Sequence, residues 1–135
     1  MINSMTKRAI GVALFPLLLS SCSITAQQVS ISSCIESSTS LTVSRIDERN
    51  SRVFVITSPA TFELQNQLKT ADACLRNLHW PTDRSITVFS EAKYVGYKDE
   101  EHISPLHKDN QWSKAYLAEY FGASDKFIRM PALSP

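Results

Sequence analysis

The chain has 135 residues, of which 43% are hydrophobic and 20% are charged, and its formal net charge at pH 7 is +1. This length suits one domain and is too short for two ordinary ones. The balanced charge argues against a nucleic-acid partner, which would require a concentrated basic face. No stretch of the sequence supplies such a face.

The first part of the chain has the pattern of an exported precursor. Lys7 and Arg8 supply positive charge, and the uncharged apolar residues 9–19 follow them. Such a segment is typical of a signal peptide. It stops well short of the roughly 20 residues that span a bilayer, and Pro16 interrupts it, so we expect no retained transmembrane anchor. Removing Lys7 and Arg8 leaves 12 basic residues against 13 acidic ones.

The segment Leu19-Ser20-Ser21-Cys22 at the end of this run resembles the lipobox of bacterial lipoprotein precursors. The resemblance covers only the first 22 residues. It implies a signal peptide of residues 1–21 and a diacylglycerol group on the sulfur of Cys22. Ser23, in place of Asp, implies sorting to the outer membrane, facing the periplasm. An ordinary signal peptide cut after Ala26 would instead give a soluble periplasmic protein.

The two remaining cysteines point to the same compartment. Once Cys22 carries lipid, Cys34 and Cys74 form an even pair in a chain bound for an oxidising environment, which predicts a disulfide. In the loop-entropy model, closing the loop between them stabilises the fold by roughly 4 kcal/mol, less any strain. The alternative is two unpaired buried thiols. A metal site is not predicted, because there is no Cys-x-x-Cys motif.

The lipidated cysteine should be followed by a tether and then by a single domain. Residues 22–33 are polar and rich in serine, without apolar periodicity, and predict a flexible tether. The single α+β domain is predicted to occupy residues 34–135. Alternation over residues 41–44 and the β-branched and aromatic run over residues 53–56 predict two strands. The short charged connection between these strands predicts an antiparallel hairpin.

A long amphipathic helix is predicted next. Ser58-Pro59 is a helix start signal, and the helix should end near His79, because Trp80 precedes a proline. Its apolar residues recur every three or four positions and should face the sheet. They are Leu64, Leu68, Ala71, Leu75 and Leu78.

The C-terminal half is predicted to alternate strands with one more helix. Residues 85–89 have strand composition, and the chain is expected to stay extended to residue 97. The polar residues 98–109 predict a surface loop. A helix is expected over residues 110–121 with Gly122 as its C-cap, followed by a strand over residues 126–130. The order β-β-α-β-α-β predicts an α+β fold with two helices on one face of a small, mainly antiparallel sheet.

Catalytic motifs are missing from the sequence. There is no nucleophile elbow, zinc-protease motif, Walker motif or dinucleotide fingerprint, and we predict no catalytic residue, cofactor or metal ion. The carboxylates and histidines of residues 99–109 could bind zinc or perform acid–base chemistry. Their spacing fits no helical ligand pair, which favours a solvated loop.

Aromatic and acidic side chains in the C-terminal half suggest a binding surface. Tyr and Trp combine a large contact area with a hydrogen-bonding tip, which favours them at interfaces. The same aromatic rings could instead fill the core, although Tyr94 and Tyr97 are expected to be exposed beside a loop. The candidate partner-binding residues are Tyr94, Tyr97, Asp99, Glu100, Glu101 and Trp112.

These features predict an outer-membrane lipoprotein that binds another protein in the periplasm and is not an enzyme. One version is an inhibitor or immunity protein whose acidic residues 99–101 plug a basic active site. Another is an accessory subunit of an envelope or secretion assembly. A small-molecule-binding module would require a closed apolar pocket. An enzyme acting on cell-wall or lipid substrates would instead bring together at least two of Glu91, Asp99, Glu101, His102 and His107.

Overall fold

The computed structural model describes residues 25–57, 63–98 and 111–130. Two long helices, a one-turn helix and five strands lie in this part of the chain. A 3-10 turn at Ala92–Tyr94 follows the third strand. In chain order the elements are α1 (Ala26–Ser38), β1 (Thr42–Asp47), β2 (Arg52–Ile56), α2 (Leu64–Asn77), β3 (Ser85–Phe89), α3 (Ser113–Ala115), β4 (Tyr116–Phe121) and β5 (Lys126–Arg129).

The five strands form one sheet in the order β1-β2-β3-β4-β5. The predicted hairpin is confirmed, because β1 and β2 pair antiparallel. Strands β2 and β3 are parallel and are connected through α2, whereas β3–β4 and β4–β5 are antiparallel. The α+β class and the mainly antiparallel sheet are therefore as predicted, although the order of the elements differs.

Both long helices pack on one face of the sheet, which we call the helix face. Ile31 and Ile35 of α1 and Leu68 and Leu75 of α2 are fully buried there. They meet alternate strand residues, among them Val53, Val55, Ile86, Val88, Ala118 and Tyr120. The predicted disulfide is present between Cys34 and Cys74, with 5.9 Å between their Cα atoms, and it joins α1 to α2.

The flexible tether predicted for residues 22–33 is wrong from Ala26 onward, where α1 lies. The Thr25 side chain caps this helix by accepting a hydrogen bond from the Gln28 backbone N–H at 3.1 Å. Ile31 and Ile35 are one turn apart and bury the inner side of the helix. Tertiary packing and the disulfide thus override the low helix propensity of the serine-rich sequence. The leader and Cys22 lie outside the described residues.

The helix predicted over residues 110–121 is also wrong. Among the described residues only 111–115 are helical, with Ser113–Ala115 as the α-helical turn, and Tyr116–Phe121 form β4. Aromatic and branched residues favour strands, and β4 pairs with β3 on one side and β5 on the other. Gly122 therefore lies in the turn between β4 and β5 and does not cap a helix.

Two further differences lie in the connections. The expected extension through residues 92–97 is wrong, because the chain forms the 3-10 turn there and Gly96 adopts a φ of 142°. The helix start at Ser58-Pro59 and the loop residues 99–109 lie outside the described residues.

The opposite side of the sheet, which we call the second face, carries its own cluster of buried side chains. Its members come from β2, β3, the 3-10 turn and α3, so the segments around residues 92–97 and 111–115 cover this face. The cluster consists of Phe54, Phe89, Tyr94, Val95, Trp112 and Ala115.

None of the helices in the described ranges is long and apolar enough to cross a membrane.

Candidate functional site

Three polar side chains from neighbouring strands meet on the second face. Arg52 begins β2, Thr87 lies at the middle of β3, and Glu119 lies in β4. Thr87 is paired across the sheet with Phe54 on one side and with Glu119 on the other. Side chains alternate between faces along a strand, so this register brings Arg52, Thr87 and Glu119 to the same side.

The carboxylate of Glu119 is hydrogen-bonded through only one of its two oxygens. Its Oε1 atom accepts from Arg52 NH1 at 2.5 Å, from Thr87 Oγ1 at 2.8 Å and from the Tyr116 hydroxyl at 2.7 Å. Its Oε2 atom is buried and has no hydrogen-bond partner among the described residues. The Glu119 side chain is only 5% exposed, and one of its carboxylate oxygens accepts three hydrogen bonds while the other accepts none.

Two buried N–H groups share this condition. Arg52 Nε and Trp112 Nε1 also have no hydrogen-bond partner within the described ranges. A buried polar group without a partner destabilises a protein by roughly 1–3 kcal/mol, and buried polar atoms are rarely left unpaired. The second face therefore holds two unused donors and one unused acceptor.

All three residues line one pocket of about 90 Å³. Its floor is the second face of β2, β3 and β4, and its walls come from the segments that cover this face. Aromatic rings and a few polar side chains line it together, and its volume lies below the roughly 300–1,000 Å³ of ordinary ligand pockets. The lining residues are Arg52, Phe54, Thr87, Phe89, Gly96, Tyr97, Lys98, Trp112, Tyr116 and Glu119.

Tyr97 joins the pocket to the end of β1. Its hydroxyl donates a hydrogen bond to Asp47 Oδ2 at 2.7 Å, and its ring packs edge-on against Phe54. The guanidinium carbons of Arg45 and Arg52 each lie 5.5 Å from the centre of the Tyr97 ring. This arrangement fixes the Tyr97 ring at the pocket by cation–π and hydrogen-bond contacts together.

Burial and hydrogen bonding keep the hydroxyl groups of Tyr97 and Tyr116 protonated and the carboxylate of Asp47 ionised. Burial and the hydrogen bond to Asp47 raise the pKa of Tyr97, and burial and the bond to Glu119 raise that of Tyr116. Burial alone would raise the pKa of Asp47, but hydrogen bonds from Tyr97 and Asn50 and the charge of Arg45 lower it overall. Near neutral pH both hydroxyls are therefore hydrogen-bond donors, and neither supplies a base.

Trp112 is held by aromatic packing. Its ring centre lies 6.0 Å from that of Phe89 and 5.1 Å from that of Tyr116. These contacts fix the indole plane, so its N–H group has a defined direction without an internal acceptor. These contacts therefore hold the indole ring of Trp112 in a fixed position at the pocket.

The structure places only two of the candidate residues predicted from the sequence at the pocket. Tyr97 and Trp112 lie at the pocket. Tyr94 is 6% exposed, so its expected exposure is wrong, and its hydroxyl donates to Gln111 Oε1. Asp99, Glu100 and Glu101 lie outside the described residues. The aromatic set thus serves mainly as the core of the second face, with two members also lining the pocket.

Only one of the five acid–base residues that an enzyme would bring together lies in the part of the chain that the structure describes. Glu91 is exposed and lies 3.9 Å from Lys93 Nζ, whereas its four possible companions fall outside the described ranges. Within the part of the chain that the structure describes, no group of three His, Cys, Asp or Glu side chains could hold a metal ion.

Sequence reasoning missed Arg52, Thr87, Tyr116 and Glu119. One signal could have identified Glu119, because it is a lone carboxylate within the otherwise apolar and aromatic residues 116–121. A strand interpretation of that run buries the carboxylate, and a buried carboxylate requires a cationic or hydrogen-bonding partner. The helix interpretation concealed this requirement.

Comparisons with known proteins add no relative to these observations. The chain matches no protein-family model, and no curated protein or solved structure shows a significant similarity to it.

Proposed function

We propose that this protein is an outer-membrane-anchored lipoprotein whose periplasmic domain binds another protein through the second face of its sheet. The observation that carries the proposal is the pocket on this face, whose lining includes Arg52, Tyr97, Trp112 and Tyr116. Trp, Tyr and Arg are also the residue types that dominate binding energies at interfaces.

The lipid anchor rests on the lipobox resemblance at Cys22. The disulfide between Cys34 and Cys74 agrees with an oxidising compartment such as the periplasm. Because α1 begins at Ala26, the connection from Cys22 reaches roughly 14 Å even when fully extended. A lipidated protein would therefore hold its domain close to the membrane surface, and its partner would have to be accessible there.

Site-specific photocrosslinking in living cells tests the proposal. A benzophenone amino acid is placed at Lys98, an exposed residue that lines the pocket, in the full chain with its own leader. The matched control carries the same amino acid at Arg76, which is exposed on α2 behind the opposite face of the sheet. We expect one discrete crosslinked protein from position 98 and none from position 76.

The crosslinked partner then distinguishes the two versions of the function. A single enzyme or toxin whose activity falls when this protein is added supports an inhibitor or immunity protein. Several envelope proteins recovered together support an accessory subunit of an assembly. Equal crosslinking at both positions, or none at position 98, would contradict binding through the second face.

A further inference from the structure

The two edge strands of the sheet differ in how they present their outer backbone groups. Strand β1 is blunted, because Ser44 is an extra residue at a register shift and the Val43 backbone N–H already donates to Glu36 Oε2 at 2.8 Å. Strand β5 pairs with β4 without a register shift, and no described strand lies beyond it. The regular edge of β5 is therefore the one that is open to another strand.

The backbone groups on that edge belong to Phe127 and Arg129. The Met130 backbone N–H donates to the Leu117 carbonyl at 3.0 Å, so these opposite residues form a hydrogen-bonded pair. Such pairs alternate along an antiparallel ladder, so the N–H and C=O groups of Ile128 point toward β4 and those of Phe127 and Arg129 point away from it. Within the described ranges these outward groups have no hydrogen-bond partner. A strand placed beside β5 would pair them.

The side chains of β5 give this edge a charge pattern. Residues 126–129 read lysine, phenylalanine, isoleucine and arginine, so an apolar pair lies between two cations. Lys126 and Arg129 are exposed, and neither forms an ion pair with a carboxylate of the described residues. Phe127 packs against the helix-face core, Ile128 lines a groove of about 490 Å³, and both are half-buried. An added strand would therefore meet two cations that have no carboxylate partner.

We propose that an extended segment of the partner protein adds to β5 and that this segment has the complementary pattern, acid-apolar-apolar-acid. Opposite residues of paired strands lie about 5 Å apart, so an acid opposite each cation forms a cross-strand ion pair and the apolar residues meet Phe127 and Ile128. Strand addition takes its affinity from main-chain hydrogen bonds and its specificity from such side chains. That the segment belongs to a protein partner rests on the proposed function, whereas its position and pattern rest on β5.

A second copy of this chain does not fit the same edge. In an antiparallel pair of β5 strands, Lys126 of one copy would lie opposite Arg129 of the other, and opposite like charges destabilise strand pairing. No four-residue stretch of the sequence has an acid at both ends, so the chain does not contain the complementary pattern either. The charges on β5 therefore act against self-association and select a different, acidic segment.

The test uses short peptides as probes of the edge. Acetylated and amidated Thr-Glu-Val-Val-Glu-Thr carries the pattern, and Thr-Val-Glu-Glu-Val-Thr is the matched control with the same composition and charge. The lipid-anchored protein is labelled with ¹⁵N in nonionic detergent micelles, and its backbone amides are followed as each peptide is added. We expect saturable shifts over residues 126–129 and new protection from hydrogen exchange at the Phe127 and Arg129 amides. The Ile128 amide, which already bonds to β4, should gain little protection.

The charges predict which peptide binds. The pattern peptide should bind about tenfold more tightly than the control, because it forms two cross-strand ion pairs, and added salt should reduce this difference. Reversing both charges, as Lys126→Glu with Arg129→Glu, should transfer the preference to Thr-Lys-Val-Val-Lys-Thr. The matched control, Arg49→Glu with Arg76→Glu, makes the same change of charge at exposed positions outside β5 and should leave the preference unchanged.

Other results would overturn the proposal. Equal binding of the two glutamate peptides, or no added protection at Phe127 and Arg129, would leave the charges of β5 only as a guard against aggregation. Protection of these amides without peptide would assign the edge to a second copy if it rises with protein concentration. Protection that is independent of concentration would assign the edge to another part of this chain.

The failures of the two proposals are distinguishable. A benzophenone amino acid at Ser124, an exposed residue of the turn before β5, tests the edge in living cells, whereas position 98 tests the second face. A crosslink at position 98 without selective peptide binding overturns strand addition and keeps second-face binding. Selective peptide binding without a crosslink at position 124 overturns a protein as the source of the strand. Selective binding with a crosslink at position 124 that Lys126→Glu with Arg129→Glu removes supports strand addition, whatever position 98 shows.

Discussion

Arg84 forms a two-pronged ion pair with Asp72 on the helix side of the sheet. Arg84 Nε donates to Asp72 Oδ1 at 2.6 Å, and Arg84 NH2 donates to Asp72 Oδ2 at 3.0 Å. Both side chains are less than a tenth exposed. The hydrogen bond to Asp72 raises the pKa of Arg84, so the guanidinium stays charged. The pair connects α2 to the residue that precedes β3, so it holds the helix in position relative to that strand.

Breaking this pair should be among the most destabilising single changes in the domain. Asp72→Asn leaves the charge of Arg84 buried without a counter-ion, which we expect to reduce the free energy of unfolding by about 3–5 kcal/mol. Urea denaturation followed by circular dichroism measures this change. The matched control is Lys69→Ala, which removes the exposed Lys69–Asp125 pair and should change stability by less than about 1 kcal/mol. A loss of similar size in both variants would contradict the special role of the buried pair.

Gly122 is required by the same ion pair. A Cβ atom at this position would lie 2.1 Å from Asp72 Oδ1 and 2.8 Å from Arg84 Nε. We therefore expect Gly122→Ala to destabilise the protein by about 1–3 kcal/mol through overpacking. Shortening Asp72 to Ala should remove the closer of these two approaches and leave the Arg84 side chain free to move away, so the two substitutions together should cost less than their sum in a double-mutant cycle. Strict additivity would show that the clash is relieved in some other way.

The elements that the sequence predicted correctly are those with a strong local pattern. The run over residues 53–56, the strand at residues 85–89 and the stripe that begins at Leu64 all lie where their composition indicated. The stripe of α2 is nearly continuous, with Leu64, Leu68, Ala71 and Leu75 buried. A pattern of this kind reports burial directly, because it repeats with the period of the element.

The sequence predicts a helix in place of β4 because the spacing of two tyrosines in this strand coincides with that of a helix. Tyr116 and Tyr120 are four residues apart, which suggests one helical face. In the structure the pairing of β3 with β4 shifts between Val88 and Phe89, which leaves Leu117 as an extra residue. The bulge places Tyr116 with the second-face cluster and Tyr120 in the helix-face core. A bulge of this kind is set by the paired strand and has no local signature.

The pocket could not be predicted because its parts are distant in the chain. Arg52 and Glu119 are 67 residues apart and meet only because β3 lies between β2 and β4. Once β4 is read as a helix, Glu119 has no reason to face Arg52. The residue types of Trp112 and Tyr97 indicate a binding role but do not indicate the polar side chains beside them.

Removing the disulfide should loosen α1 before the rest of the domain. Only Ile31 and Ile35 of this helix are buried, and its serine-rich sequence has little helix propensity of its own. We expect Cys34→Ser with Cys74→Ser to reduce the free energy of unfolding by about 2–5 kcal/mol. Hydrogen exchange should show the largest loss of protection in residues 26–38, with β2 and β3 the least affected. Uniform loss across the sheet would contradict a local role for the disulfide.

Cys22 is expected to determine where the protein resides. Replacing it in the full chain, as Cys22→Ser, removes the sulfur that would carry the diacylglycerol group. We expect the processed, lipid-carrying form to be lost and the protein to accumulate as a larger, uncleaved precursor. Mass spectrometry of the wild-type N-terminal peptide is the direct check. An unmodified N-terminus at Gln27 would contradict lipidation and support the ordinary signal peptide.

The hydrogen bond from Tyr97 to Asp47 predicts a specific dependence of stability on pH. The pKa of Asp47 is lowered in the folded protein from an ordinary value of 3.8, so the folded state binds its proton less readily than the unfolded state does. The stabilisation is therefore fully present above about pH 4 and is lost as the pH falls through the folded pKa. Asp47→Asn removes this titrating group.

We expect the wild-type protein to lose more stability than Asp47→Asn between pH 5 and pH 2, measured by urea denaturation at each pH. Tyr97→Phe should reduce the acid-dependent part without abolishing it, because Asn50 also donates to Asp47 at 2.8 Å. At the alkaline end the sign is reversed. The raised pKa of Tyr97 means that its contribution is present below about pH 10 and is lost as the pH rises through the folded pKa. Tyr97→Phe should therefore also flatten the alkaline limb, and identical limbs in both proteins would contradict the pairing of Tyr97 with Asp47.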